Sequence, residues 1–289
     1  MTILSMLFKG IPGDDQVYQS DFDGSGWSSK IAIPQIMSSS HPMWSRYYDQ
    51  TILTAWRNVA SPHSVQAARF DGPTAWVWLG AVPGATSDAP PAGAAMTASS
   101  DFLLVWKSSD HTIHYSIFDS LHWSAVSTVA GATSSHGPAV ARFGGKMHLV
   151  WKGIPGDHNI YYATYNGAWS APQQIPQVAT TSQPALTTYG GRLVLVFRGK
   201  EGDVAIYWSF LDSVSGAWLP PVRISTFQTS TAPAILEFAG RLHMVWKGIG
   251  DDYSLYMANF DGAFWWPQHQ IPEVASSSTP TLAEFDPSF

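Results

Sequence analysis

Residues 146–170 read KMHLVWKGIPGDHNIYYATYNGAWS, and residues 241–266 read RLHMVWKGIGDDYSLYMANFDGAFWW. The two stretches share one plan. A short apolar run ends in Trp-Lys-Gly, and a polar loop carries an Asp. A second aromatic-rich run follows, and an Asx-Gly turn leads to a Trp. Runs this short, rich in β-branched and aromatic residues and punctuated by Gly, Asn, Asp and Pro, read as strands. No window keeps a helical period.

Working outward, an aromatic followed by a basic residue marks the same point six times. The pairs are Phe8-Lys9, Trp56-Arg57, Trp106-Lys107, Trp151-Lys152, Phe197-Arg198 and Trp246-Lys247. Successive spacings are 48, 50, 45, 46 and 49 residues, and the step from Trp246 through the chain ends round to Phe8 is 51. The 289 residues therefore hold six whole periods. A period of about 40–50 residues with four short strands predicts an all-β, six-bladed β-propeller, four antiparallel strands to a blade.

The strands of each copy are named A (ALTTY type), B (MHLVW), C (IYYATY) and D (after the turn Trp). Strand B is apolar on both faces: Met147, Leu149 and Trp151 point one way, and His148, Val150 and Lys152 the other. Burial on both sides suits stacked blades. The C–D turns carry Asp23-Gly24, Asp71-Gly72, Asn166-Gly167 and Asp261-Gly262, relaxed to Asp119-Ser120 and Asp212-Ser213 in copies three and five. Such dipeptides suit tight hairpins. A Trp follows each turn, at 27, 76, 123, 169, 218 and 265, and the set reads as packing between blades. The first residues, TILSMLFKG, match strand B, while PTLAEF near the end matches strand A. The ring is thus expected to close with strand A from the C-terminus and strands B–D from the N-terminus, leaving no free radial edge. One domain is expected over 1–289.

Composition narrows the function. Charged residues are 12%, the net charge is −6 and no basic run exists, which argues against a nucleic-acid partner. There is no cysteine, so disulfides and thiolate chemistry are excluded. His148 and His243 share a strand-B position in alternate copies, too far apart for one metal site. No nucleophile motif or Gly-rich phosphate loop stands out, so no cofactor, metal or catalytic residue is assigned. MTILSMLFKG is a poor signal peptide and no long apolar stretch exists. A protein that is cytoplasmic, or released without a classical signal peptide, is expected. So is a monomer or small homo-oligomer with no membrane span.

In a propeller the B–C and D–A loops share one face. This face collects the six basic residues, a repeated Asp in the B–C loop (14, 110, 157, 203 and 252), and Ser/Thr-rich D–A loops ending in Pro. Lys9, Arg57, Lys107, Lys152, Arg198 and Lys247 can be a ring of donors for a polar ligand, or can pair with the Asp and hold each loop. Arg57 faces the copy that lacks the Asp, and is expected to be free. Subtracting the repeat leaves Trp44, Trp78, Trp208 and Trp266. Trp44 lies in HPMWSRYYDQ, with His41, Arg46, Tyr47 and Tyr48. Trp44 can stack on a sugar or plug the channel. The candidate ligand-binding residues are the six basic positions with His41, Trp44, Arg46, Tyr48, Trp78 and Trp208.

The phrases WKGIPGDHNIYYATYNGAWS and FAGRLHMVWKGIGDDYSLYMANFDGAFW resemble the repeats of a family of sialidase-like β-propellers, built on W-K-G, D-x-x-I-Y and F-D-G-x-x-W. The resemblance implies the propeller fold and, for its lectin-like members, a binding module. True sialidases imply an arginine triad, a Tyr/Glu pair and an Asp acid/base. Only a degraded Asp-box, SDFDGSGW at 20–27, is present, with four glutamates in all. Glycoside hydrolysis needs two placed carboxylates. Non-catalytic carbohydrate binding on the B–C/D–A loop face is therefore the leading expectation. The alternative is an enzyme with one pocket at the channel mouth, of secondary-metabolite cyclase or pericyclase type, or less favoured, a sialidase-like glycoside hydrolase. A third reading is a protein-interaction scaffold.

Overall fold

The computed structural model describes residues 2–48, 51–71, 75–96 and 101–286. They form six sheets, each of four antiparallel strands in the order A-B-C-D. In the fourth blade these are Ala139–Phe143, Lys146–Lys152, Asn159–Tyr165 and Gln173–Ala179. The first blade draws on both chain ends. Thr281–Phe285 pairs antiparallel with Ile3–Lys9, with Ile3 opposite Phe285 and Leu7 opposite Thr281. The ring therefore closes as the repeat predicts.

The core is six clusters, each straddling two neighbouring blades. Met147, Leu149 and Trp151 pack with Leu103, Val105 and Ile113 of the preceding blade. Val150 packs the other way, with Leu193, Leu195 and Phe197. Period-two alternation thus serves two interfaces from one strand. The turn tryptophans sit where expected. Trp169 meets Tyr115 of the preceding blade at 5.7 Å and 73°, Trp218 meets Tyr162 at 5.8 Å and 85°, and Trp265 meets Trp208 at 5.4 Å and 61°. Edge-to-face pairs of this kind add about 0.5–1.5 kcal/mol beyond area burial.

Strand D departs from simple alternation. Its burial runs two exposed, one buried, as in Ile31–Met37 and Gln173–Ala179. Gln35, Gln177 and Glu273 hold positive φ values of 65°, 63° and 59°, and the C–D register shifts beside them. These are bulges on the outermost strand, where an extra twist blunts an exposed edge. At the hairpins, Gly144-Gly145 takes consecutive positive φ values, as a two-residue turn of primed type requires. Ser120 fills the turn-glycine role in the third blade at φ 82°.

The six A strands line the axial channel. The A–B and C–D turns stand at one end of it, and the B–C and D–A loops at the other.

Candidate functional site

The repeated charges on the loop face are used by the fold, in a way that differs from simple Lys–Asp pairing. Lys152 is 3% exposed, and its Nζ donates to the carbonyl of Asp157 at 2.9 Å and to Ser135 Oγ at 2.8 Å. Lys247 Nζ donates to the Gly250 carbonyl at 2.7 Å and to Ser230 Oγ at 3.0 Å. Lys9 reaches the Asp14 carbonyl at 2.9 Å and pairs with Asp15, the neighbour of the repeated position, at 2.8 Å. Lys107 pairs with Asp88 of the preceding D–A loop at 2.6 Å. Arg198 Nε donates to the Thr229 carbonyl at 3.0 Å, and its Nη1 bonds Thr181 Oγ1. Arg57, expected to be free, donates from Nε to the Ser87 carbonyl at 2.9 Å. The missing loop Asp does not release it, because its partner lies in the next D–A loop. Burial pulls the ammonium groups of Lys152 and Lys247 down from their ordinary range, against the pull of the nearby Asp157 and Asp252.

The repeated Asp has other partners. Asp157 Oδ1 accepts from the Asn159 main-chain N–H at 3.0 Å, and Oδ2 accepts from Tyr161 Oη at 2.9 Å. The same pair of bonds recurs at Asp14, Asp203 and Asp252 with Tyr18, Tyr207 and Tyr256. Burial pushes the Asp157 carboxyl up, and these hydrogen bonds outweigh it, leaving a net lowering. The glycine of Trp-Lys-Gly belongs to the same device. A Cβ on Gly153 would stand 2.2 Å from Asp157 Oδ2. The motif W-K-G…D…Y is therefore one loop lock.

The D–A loops divide by position. Four residues before the closing Pro stands a hydroxyl buried in all six: Ser38, Ser87, Ser134, Thr180, Thr229 and Ser276. Each accepts the main-chain N–H two residues on, as Ser134 Oγ does from His136 at 3.1 Å and Thr180 Oγ1 from Ser182 at 3.0 Å. The next residue latches the loop to the following strand B, as Ser135 and Ser230 do. Only the last two residues before the Pro remain. They line a recess of about 370 Å³ at the channel mouth, with His41, His136, Gln183 and Ser278 among them.

This recess holds polar atoms that the fold leaves unpartnered. His41 is 4% exposed, and its Nδ1 has no hydrogen-bond partner among the described residues; nor has the buried Oγ of Ser278. A buried polar group left in this state costs about 1–3 kcal/mol. Desolvation lowers the His41 imidazole to about 4, so it is neutral at pH 7. Desolvation, with Lys152 and Lys107 nearby, also lowers His136 to about 4. Gln183 reaches the neighbouring D–A loop. Its Nε2 donates to the Pro138 carbonyl at 3.2 Å, and its Oε1 stands 2.4 Å from where a Gly137 Cβ would be. Below the recess the channel narrows to an apolar space of about 130 Å³, walled by prolines, alanines, Val140, Leu186 and Ile235.

The other candidates lie elsewhere. Trp44 is 3% exposed and belongs to the interface of blades one and two, stacked on Trp76 at 5.8 Å, and it is also among the residues lining the channel. Trp78 is 39% exposed on strand D and continues that stack at 6.0 Å. Trp208 packs between blades five and six. Arg46 stands at the opposite mouth and pairs with Glu284 at 2.9 Å. The side chain of Tyr48 lies outside the described residues. The structure thus keeps His41 and the six basic residues on the loop face, with His41 and Arg198 lining the recess, and places Trp44, Trp78, Trp208 and Arg46 elsewhere. The opposite mouth has a larger cavity, about 620 Å³, lined by the exposed Arg46 and Arg142. The loop-face recess is the better candidate, because buried unpartnered groups point to a missing partner.

No family model and no curated protein matches this chain. Solved structures do. A fucose-specific lectin from Aleuria aurantia superposes with a TM-score of 0.67 at 14% identity, covering 95% of this chain and 93% of that one. SapL1 lectin in complex with α-methyl fucoside gives 0.67 at 14% identity, covering 90% of each chain. BP39L lectin from Burkholderia pseudomallei gives 0.66 at 14% identity, covering 93% of this chain and 84% of that one. At these identities the likeness is one of fold, a six-bladed propeller.

Proposed function

We propose that this propeller binds glycans without chemically changing them, through the face made by its B–C and D–A loops. The observation that carries the reading is the channel-mouth recess. Its lining offers hydroxyls, neutral imidazoles and a carboxamide above an apolar wall, the mixture that fixes a sugar by its polar edge and its C–H face. The carboxylate lining it, Asp88, is tied to Lys107 at 2.6 Å, so a pair of carboxylates placed for glycoside hydrolysis is not found among the described recess residues. The fucose named for the similar lectins makes fucosides the first ligands to try. Kinship with sialidase-like repeats is part of this proposal and rests on the W-K-G, D-x-x-I-Y and F-D-G-x-x-W phrases alone.

A glycan array, with haemagglutination beside it, tests the reading. Retention of one or more glycans, recovered unaltered, is expected. Silence in both assays would overturn it. The single-pocket enzyme reading draws on the uneven residues around the same mouth, and a glycan or small molecule recovered as a new product would favour it.

A further inference from the structure

We propose that the recess at the D–A end of the channel is a single axial site for one sugar residue, held by His41 and Gln183. This rests on the glycan-binding reading and adds the place and the number of what is bound. Three observations carry it.

The first is what the fold leaves over. Ser134, Thr180 and their equivalents are spent on loop turns, and Ser135 and Ser230 on latching the basic residues. The groups not so spent belong to the lining of the recess. His41 lines both the outer recess and the apolar channel beneath it, and its Nδ1 lacks a partner in a position already nine-tenths buried. That nitrogen is closed to solvent, so a ligand hydroxyl meets it only with a turn of the imidazole, which brings a ring nitrogen to the recess. Gln183, anchored by Nε2 on Pro138, presents its Oε1 over Gly137. A Cβ at 137 would also stand 2.6 Å from the Pro90 carbonyl oxygen, so the close approach of the neighbouring loop, as well as this carboxamide, requires the glycine.

The second is charge. Asp88 and Arg198 are occupied by Lys107, Thr181 and Thr229. His41 and His136 are neutral at pH 7. Lys107 neutralises Asp88, whereas Arg198 meets only a carbonyl and a hydroxyl and keeps its charge, so the recess offers hydroxyl-binding groups beside one cation.

The third is asymmetry. The equivalent loop of the third blade offers Ala89-Pro90, with no side-chain hydrogen-bonding group, while other blades offer His41, His136, Gln183 or Ser278. A lining that breaks the six-fold repeat, on the axis itself, accommodates one ligand in one orientation. Its volume of about 370 Å³ falls in the range of small-molecule pockets.

The test uses the full chain with four probes: methyl α-L-fucoside, methyl α-D-mannoside, methyl β-D-galactoside and the methyl glycoside of N-acetylneuraminic acid. Calorimetry gives the stoichiometry, and NMR of labelled histidine side chains reports on His41. At least one probe is expected to bind one to one and shift the His41 ring signals. Gln183→Ala is expected to weaken it about tenfold, one hydrogen bond's worth, while Thr188→Ala at the opposite mouth leaves it unchanged. Circular dichroism establishes that each variant is folded, and His41→Gln, which keeps a hydrogen-bonding group, is expected to bind more weakly without loss of fold. Several equivalent sites with His41 signals unmoved would overturn the axial site and leave glycan binding standing. So would failure of all four probes against a positive array. Failure of the probes with a silent array would remove both.

Discussion

Gly153→Ala is the sharpest probe of the loop lock. In an ordinary exposed loop this change would stabilise slightly, by about 0.4–1 kcal/mol, through the unfolded chain. Here the new methyl would stand 2.2 Å from Asp157 Oδ2 and 2.9 Å from its Cβ. The carboxylate must swing out. It then gives up the bonds from the Asn159 main chain at 3.0 Å, the Asn159 side chain at 2.8 Å and Tyr161 at 2.9 Å. Hydrogen bonds to charged groups contribute about 1.5–3 kcal/mol each when removal leaves a partner unsatisfied. Part of this returns through water at the loop surface, so a net loss of about 2–4 kcal/mol is expected. Urea unfolding followed by tryptophan fluorescence measures it, with a drop in Tm of a few degrees. The cycle with Asp157→Gly isolates the cause. In that background the clashing atoms are gone, and Gly153→Ala should cost almost nothing or stabilise. If Gly153→Ala costs the same in both backgrounds, or nothing in either, the lock is wrongly described.

Acid should weaken the fold above the carboxylate range. His41 and His243 are held near 4 by burial, below the ordinary 6.5, so the unfolded chain takes up the protons first. Stability from these groups is complete above about pH 6.5 and lost as pH falls toward 4. For the fully buried His41 the loss is about 3 kcal/mol. Urea midpoints measured from pH 7.5 to 4 check this, and a flat profile would contradict it. Removing strand A of the first blade by truncation after Pro280 opens the ring and should destabilise all six blades together, seen as a lowered single melting transition. Native melting would contradict the closure. Thr180→Val leaves the buried Ser182 N–H without its acceptor and should cost about 1–3 kcal/mol in urea unfolding.

Much of this architecture was legible because it is periodic. Phe8-Lys9 through Trp246-Lys247 counted the blades, and PTLAEF beside TILSMLFKG showed how the ring closes. The bulges on strand D were not legible, since Gln35, Gln177 and Glu273 are not residues that announce a positive φ. The loop Asp was visible, but its partners were not. The eye pairs Lys with Asp, whereas geometry turns the carboxylate toward its own strand and the ammonium toward main-chain carbonyls. Trp44 stood out as an aromatic on strand A, yet its ring lies in the blade interface. His136, Gln183 and Ser278 were hidden inside loops that read as uniformly Ser/Thr-rich. Aligning those loops on their closing Pro, and asking which positions vary, separates them from the structural hydroxyls.

The central claim is that the repeat builds the ring and its failure at one mouth makes the binding site. A crystal structure of the full chain with a glycan retained on the array tests this most directly. Density for one sugar residue on the axis, within hydrogen-bond reach of His41 and Gln183, is predicted. Density repeated in grooves between blades, with the axial recess unchanged, would contradict it.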